Sequence, residues 1–328
     1  MKKLADAVDA TLARLSKAAA TNGSRLSIEA AAVLHRDPPQ GFGRPGLWST
    51  NRSSRMIAAV DSWLAVSLAR DDDRDSVAAW TGCAFDADPW ESLIKYARIR
   101  PAKAVLAQAI DLHLPAAIVG ETTPTDLESL NSSARRKGQS KALDLSALWA
   151  GPLCGSLLAQ SGVAVTRIES AIRPDPTAKN SPQFDDWLNG RKVRQTLALD
   201  DPQLIDLIAG TDILITSGRP HALARKGLTE QRLRALNPSL IWVAVTAHGW
   251  RGDSAWRVGF GDDCAAAGGL IGRQSSAPRF IGDALADPLT GLEAATHVFE
   301  ALDSGKAGLI DASLAQTAAR YACQLGLR

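Results

Sequence analysis

The chain has 328 residues, of which 45% are hydrophobic and 22% are charged, and its formal net charge is +2. This composition is typical of a globular protein with about two domains, at roughly 150 residues per domain. The near-neutral charge gives no reason to expect nucleic acid or a membrane surface as a partner, and no apolar run approaches the roughly 18 residues that span a bilayer.

The cysteines and the N-terminal residues indicate the cellular compartment in which the protein is expected. The four cysteines lie far apart with no CxxC pair, which favours reduced thiols over a disulfide framework or a zinc site. The chain turns polar too soon after Met1 for a secretory signal. We therefore expect a cytoplasmic protein without a bound metal.

The first third of the chain predicts a small α+β unit. Apolar residues at helical spacing predict an amphipathic helix over residues 5–20. A loop of turn formers over residues 36–46 then leads to two short strands, at 55–60 and 63–68. Helical patterns dominate residues 76–112, and residues 116–119 predict a last short strand.

The next twenty residues change in character. Thr, Pro, Ser, Asn, Arg, Lys and Gly dominate residues 122–141, as in linkers. We therefore predict a small domain at 1–121, a linker at 122–141 and a second domain at 142–328.

In the second domain, strand and helix patterns alternate, which predicts a parallel sheet covered by helices on both faces. The predicted strands are 142–145, 163–168, 212–216, 240–245 and 308–312. Ligands of such sheets bind beyond the carboxyl ends of the strands. The first turn, which contains Gly151-Pro152, lacks the G-x-G-x-x-G of a nicotinamide enzyme.

The second domain resembles the class III CoA-transferases, the CaiB/BaiF family. The segments that carry the resemblance follow one another in the family's order over residues 141–320: LDLSALWAGPLCGSLLAQSGVAVTRIES, WLNGRKVRQTLALD, DILITSGRPHALARKGL, LNPSLIWVAVTAHGWRGDSAWRVGFGDDCAAAGGL, FIGDALADPLTGLEAA and LIDASLAQTA. The resemblance implies a Rossmann-like large domain with a small α+β domain. GFGRPGLWST and PAKAVLAQAIDLHLPAAIV resemble the family's small domain, which here comes first, in a permuted order.

Two aspartates precede a predicted helix that begins near Pro288. Asp287 fits its N-cap, whereas Asp283 has no cap role. Taken locally, Asp283 fits a turn aspartate bonded to backbone amides. The resemblance instead implies that Asp283 is the catalytic nucleophile, which forms an aspartyl anhydride and then an aspartyl-CoA thioester. Backbone amides of Gly41 and Gly43 would stabilise the oxyanions, although these glycines also fit a plain domain-entry turn.

A groove for CoA is the second implication of the resemblance. Cations must face the CoA phosphates, although each candidate cation also fits a solvated surface charge, and His248 also fits a packed residue. The candidate CoA-contacting residues are Ala147, Trp149, Glu169, Lys192, Ser217, Arg219, Arg225, Lys226, Thr246 and His248.

The resemblance further implies acyl-CoA and a carboxylic acid acceptor as substrates, no permanently bound cofactor, and an interlocked homodimer. Ala147 and Trp149 replace polar residues that are frequent in the family. Two alternatives therefore stay open: an acyl-CoA isomerase or hydratase that uses Asp283 as acid or base, and a non-catalytic acyl-CoA-binding subunit.

Overall fold

A computed structural model describes residues 2–21, 23, 26–36, 43–125, 128–132 and 139–328. Two helices come first, α1 (Lys2–Thr21) and α2 (Ala30–Leu34). Within the described residues, no helix is both long and apolar enough to cross a bilayer.

The small sheet follows these helices and has three antiparallel strands in the order β1-β2-β3. These are β1 (Ser54–Ala58), β2 (Trp63–Ser67) and β3 (Ala116–Ile118). Between β2 and β3 lie α3 (Asp71–Asp75), α4 (Val77–Thr81), α5 (Pro89–Ala97) and α6 (Ala102–Asp111). Side chains from β2, α4, α5 and α6 form a separate apolar core. The three predicted strands of this unit are confirmed.

The large sheet has seven strands in the order β4-β12-β9-β8-β5-β6-β7. They are β4 (Glu128–Ser132), β5 (Lys141–Leu145), β6 (Ala164–Glu169), β7 (Val193–Thr196), β8 (Ile213–Thr216), β9 (Ile241–Thr246) and β12 (Lys306–Ser313). All neighbours pair in parallel except β4, which is antiparallel to β12. The predicted parallel-dominated α/β fold is confirmed. The strand order reverses between β5 and β8, which places a topological switch point there.

Alternate side chains of the central strands enter two different cores, because successive residues of a strand face opposite sides of the sheet. In β8, Ile213 and Ile215 join one core and Leu214 the other. The remaining elements are α7 (Ala150–Gln160), α8 (Thr177–Asn180), α9 (Pro182–Asn189), α10 (Pro202–Ala209), α11 (Pro220–Arg225), α12 (Glu230–Leu236), a 3₁₀ helix (Asp253–Trp256), α13 (Gly261–Ala267), a hairpin of β10 (Gly272–Gln274) with β11 (Ala277–Arg279), α14 (Ala286–Ser304) and α15 (Leu314–Gln324).

Helix α1 packs against α14, in the core of the large sheet. Thr11 lies 2.9 Å from the Tyr321 hydroxyl, and Arg14 bonds both carboxylate oxygens of Glu300. These contacts attach the first helix to the large unit, although it precedes the small sheet in the chain. The domain boundaries stay a prediction.

Strand β4 lies inside the segment that composition predicted to be a linker. It pairs with β12 and has no other strand beside it among the described residues. A strand at the edge of a sheet needs only one partner and tolerates polar residues, so its composition resembles that of a loop.

Candidate active site

The loops that follow β5 and β8 meet at the switch point of the large sheet. The backbone N–H of Ala147 donates to the Ser217 hydroxyl at 2.9 Å. Leu148, the next residue, has a left-handed φ of 69° and an exposed side chain, and Trp149 then turns inward and is buried. Two of the predicted CoA-contacting residues, Ala147 and Ser217, thus lie together at the edge of the sheet where ligands of this fold class bind, whereas the side chain of Trp149 belongs to the core.

Asp283 lies in the turn immediately before α14. Arg36 donates from Nε to Oδ2 and from Nη2 to Oδ1 of this aspartate, both at 2.8 Å. The Asp283 side chain keeps 14% of its surface exposed. The carboxylate is therefore accessible, and a planar, bidentate pair fixes its orientation.

Arg36 also connects this aspartate to the switch-point loops. Its guanidinium carbon lies 5.1 Å from the centre of the Trp149 ring and 5.9 Å from that of Phe184, within the range of cation–π contacts. Trp149 and Phe184 pack edge to face. The aromatic pair thus supports the arginine that holds Asp283.

Asp287 does not cap α14, contrary to the sequence prediction. The helix begins at Ala286 after Leu285, so Asp287 belongs to the first turn and accepts no hydrogen bond from the described residues. Loss of hydration raises the pKa of Asp287 to about 8. Repulsion from neighbouring carboxylates acts in the same direction, and attraction to Arg36 offsets only part of the increase. A protonated, partly buried carboxyl group therefore lies one helical turn from Asp283.

Asp262, at the start of α13, anchors the same turn. Its Oδ1 accepts the backbone N–H of Ala284 at 3.0 Å, and Ala284 has a left-handed φ of 44°. Its Oδ2 accepts from the Ser54 hydroxyl of the small sheet at 3.1 Å. Burial and the nearby Asp283 raise the pKa of Asp262 to about 7. The small sheet is thereby linked to the backbone beside Asp283.

Arg219, directly before α11, is the predicted cation whose surroundings best fit an anion. Its Nη1 is buried and has no partner among the described residues. Burial and repulsion from Arg70, Arg225 and Arg173 lower the pKa of Arg219. Several arginines therefore lie close together, and no described carboxylate pairs with Arg219. Such a concentration of positive charge favours the binding of an anion. Arg225 and Lys226 follow at the end of α11 and are exposed, and Lys226 pairs with Asp200.

Lys192 is placed differently from the expectation. Its side chain is fully buried, and its ammonium group donates to Asp144 Oδ2 at 2.7 Å and to Asn189 Oδ1 and the Pro152 carbonyl at 2.8 Å. Burial lowers the pKa of Lys192. All three N–H donors are used inside the protein, so Lys192 joins β5, α7 and α9 and presents no charge to a ligand.

Glu169 lies at the end of β6, as predicted, but its carboxylate is already paired. It accepts from Arg167 Nε at 2.8 Å, and Arg194 lies 3.5 Å away. Arg167 itself is buried and also bonds Asp175 at 2.8 Å. The side chain of Glu169 is part of an ion-pair network beside the switch point.

The other predicted site residues are distributed as follows. The Thr246 hydroxyl donates to Asp311 at 3.0 Å, and His248 is buried after β9. The Gly43 N–H donates to the Thr50 carbonyl at 2.9 Å, and the Arg52 guanidinium occupies the space beside Gly43. Gly41 lies outside the described residues, so its predicted role stays a prediction.

Two contributors to this site were missed from the sequence. Arg36 is far from Asp283 in the chain, and no local pattern distinguishes it from other loop arginines. Asp262 could have been noticed, because it lies in the first turn of a strongly apolar helix. An acidic residue in such a position is buried together with the helix and needs hydrogen-bond partners.

Comparison with known proteins gives three further findings. Residues 139–325, more than half of the chain, match the family model described as CoA-transferase family III. An acyl-CoA transferase of Fusarium pseudograminearum is 28% identical over 61% of this chain and 50% of its own length. The β subunit of the succinyl-CoA–L-malate CoA-transferase of Chloroflexus aurantiacus is 32% identical over 56% and 50%.

A solved structure is also similar. The hypothetical protein Rv3272 of Mycobacterium tuberculosis has a TM-score of 0.52 and 26% identity over 59% of this chain and 58% of its own. The chain spans about half the length of the curated relatives it matches.

Proposed function

The chain belongs to CoA-transferase family III, and from this premise we propose that it transfers coenzyme A from an acyl-CoA to a second carboxylic acid. The contact of Arg36 with both Asp283 and Trp149 carries the proposal. It places an accessible carboxylate beside the loops at the switch point, where the fold class binds its ligands.

In the proposed reaction the Asp283 carboxylate attacks the thioester carbonyl of the donor, which gives a mixed anhydride and releases CoA thiolate. The thiolate attacks the aspartyl carbonyl of that anhydride, forms an enzyme thioester and releases the first acid. The acceptor carboxylate attacks this thioester, and the released thiolate then takes the new acyl group and regenerates Asp283. Each displacement exchanges one acyl bond for another, which divides a difficult transfer into easier steps.

Arg36 would orient Asp283, because its two hydrogen bonds to the two carboxylate oxygens fix the plane of the carboxylate. Attack requires that one carboxylate oxygen leave the guanidinium. The cation–π contacts with Trp149 and Phe184 hold Arg36 in place during that movement.

Asp287 is the second candidate for the nucleophile. It is partly exposed, and no described residue donates a hydrogen bond to its carboxylate. Its raised pKa means that its anion, once formed, is more basic and more nucleophilic than that of an ordinary aspartate. Asp287 must lose its proton before it can attack, whereas Asp283 is already paired with Arg36, so both residues enter the test.

We further propose that the arginines around Arg219 bind CoA phosphates. The unpartnered Nη1 of Arg219 and its repulsion from Arg225 support this assignment. A phosphate would supply the negative charge that relieves that repulsion. The pairing of Ala147 with Ser217 places backbone groups at the same edge of the sheet.

The acyl group and the assembly are proposals of the same kind. The Chloroflexus relative is named for succinyl-CoA and is one subunit of its enzyme, so succinyl-CoA is the first donor to test. A homodimer and a complex with a related second subunit are the two assemblies to distinguish, since the matched region covers about half of each relative. Size-exclusion chromatography with light scattering distinguishes them.

The test is peptide mass spectrometry after incubation with a panel of acyl-CoAs that includes succinyl-CoA, with hydroxylamine to trap the intermediate. Wild type, Asp283→Asn and Asp287→Asn are compared. A CoA or hydroxamate adduct on Asp283 that is lost in Asp283→Asn supports the proposal, and an adduct on Asp287 transfers the role to that residue.

If acyl-CoA binds and neither aspartate is modified, the transferase mechanism is wrong. Turnover of the acyl-CoA without an adduct would then support the isomerase or hydratase alternative. Binding without turnover would support the acyl-CoA-binding subunit.

A further inference from the structure

A second group of reactive side chains lies apart from the Asp283 turn, between the loop after β9 and helix α13. It consists of His248, Asp263 and Cys264, all buried. One potential metal-binding atom from each residue lies within 4.8 Å of the others. The proposed reaction at Asp283 uses none of these three side chains, although the resemblance implied a CoA contact for His248.

His248 is the observation that points to a missing ligand. Its side chain is 5% exposed, and neither ring nitrogen has a hydrogen-bond partner among the described residues. A buried imidazole without partners loses its hydration and gains no hydrogen bond in return. Native proteins satisfy almost all such groups, so an additional atom is expected beside this ring.

Cys264 and Asp263 both pack closely against Gly259. A Cβ atom on Gly259 would lie 2.7 Å from Asp263 Oδ2 and 2.7 Å from Cys264 Sγ. Both donor atoms therefore lie close against the Gly259 backbone, where no side chain fits. Any larger residue at this position would displace them.

We propose that His248, Asp263 and Cys264 bind one zinc ion. A set of one nitrogen, one sulfur and one oxygen donor is typical of Zn²⁺ among the available divalent metals. Tetrahedral bonds of about 2.0–2.3 Å place donor atoms roughly 3.4 Å apart, so the side chains need to close by little more than 1 Å. Three protein ligands leave the fourth position to a water molecule.

The charge balance and the outer contacts fit a buried ion. A thiolate and a carboxylate neutralise Zn²⁺, while Arg257, the nearby cation, already pairs with Glu121 at 2.6 Å. Asp263 Oδ1 accepts from the Ser67 hydroxyl at 2.7 Å and from the Phe260 N–H at 2.9 Å. These bonds involve Oδ1 and orient the carboxylate, as outer-shell partners do in metal sites. Oδ2 faces the Cys264 thiol at 3.8 Å, a contact that the metal would replace.

The ion would stiffen the junction between the two sheets. Ser67 belongs to β2 of the small sheet, and Asp262, the neighbour of Asp263, holds the backbone beside Asp283. The ligands come from separate segments, His248 after β9 and the pair 263–264 in α13. Their spacing matches no zinc motif, and the sequence therefore predicted no metal.

Metal analysis of the tag-free, full-length protein tests the proposal. After equilibration with zinc chloride and desalting, plasma mass spectrometry is expected to find one zinc per chain. Replacement by Co²⁺ is expected to give a thiolate-to-cobalt charge-transfer band in the near ultraviolet. Less than half an equivalent of zinc, or cobalt binding without that band, would overturn the site.

Variants identify the ligands. His248→Gln and Cys264→Ser are expected to weaken zinc binding at least about tenfold, the lower range for disturbed metal sites. Cys154→Ser, which changes another fully buried cysteine, is expected to retain one zinc. Zinc binding that is unchanged in both ligand variants contradicts the proposal. If either variant fails to fold, as judged by circular dichroism, the cobalt spectrum of the wild-type protein decides the question.

Discussion

Arg36 holds both carboxylate oxygens of Asp283 at 2.8 Å, although 247 positions separate the two residues in the chain. The same guanidinium lies against Trp149, at the switch point of the large sheet. One side chain near the start of the chain thus joins the candidate nucleophile to the candidate CoA groove.

Replacing Arg36 is expected to impair catalysis. Arg36→Gln removes two charge-assisted hydrogen bonds, worth about 1.5–3 kcal/mol when they involve a charged group, so kcat/KM for acyl-CoA should fall roughly 10–100-fold. The matched control is Arg14→Gln, which breaks another bidentate pair, with Glu300 on the outer part of α14. Equal losses in both variants would show that Arg36 acts on stability alone.

Asp287 is expected to make stability depend on pH. Its folded-state pKa of about 8 lies above its ordinary value of 3.8, so between pH 4 and 8 the folded protein binds more protons than the unfolded chain. Stability from this group therefore falls as pH rises through that window.

Asp287→Asn cannot ionise and escapes this loss. The difference in Tm between the variant and wild type should increase in favour of the variant from pH 4.5 to pH 8. Asp303→Asn, an exposed change near the end of the same helix, controls for the removal of a negative charge. A difference in Tm that is constant with pH would contradict the assignment.

Lys192 is expected to matter for stability. Lys192→Met removes the partner of Asp144 at 2.7 Å and leaves only the more distant Arg167, at 3.9 Å, of its two cations. Breaking a buried ion pair costs about 3–5 kcal/mol. Urea unfolding measures this loss. Lys226→Met removes an exposed lysine with its ion pair to Asp200 and should change stability little. A Lys192→Met protein of unchanged stability and weakened CoA binding would restore the original expectation of a CoA contact.

Arg219 is expected to show the opposite behaviour. Arg219→Gln removes a cation that repels Arg225 and has an unpartnered Nη1, so the free protein should be no less stable. Affinity for CoA should fall about tenfold, since one charge-assisted bond of about 1.4 kcal/mol is lost. Isothermal titration calorimetry at two salt concentrations measures this loss. Arg251→Gln, in an exposed pair with Glu230, is the control, and equal affinity in both variants would exclude the phosphate role.

Local pattern was sufficient for most elements of the fold. The alternation of strands and helices after residue 141 predicted the parallel sheet, because side-chain periodicity is a property of each segment by itself. The resemblance to a known family directed attention to the loops at the carboxyl edge, and the structure brings Ala147 and Ser217 together there.

Pairing between distant segments was decided by the tertiary structure alone. In the sequence, Lys192, Glu169 and Arg219 are equally good candidates for a charged ligand contact. In the structure, Lys192 is buried in an ion pair with Asp144, and Glu169 belongs to an ion-pair network. Arg219 lies among other arginines, and its Nη1 has no partner among the described residues. The same holds for Asp287, whose position before a helix predicted a cap. The energy of a charged group depends on what surrounds it in three dimensions, whereas the tendency to form a helix or a strand is set largely by neighbours along the chain.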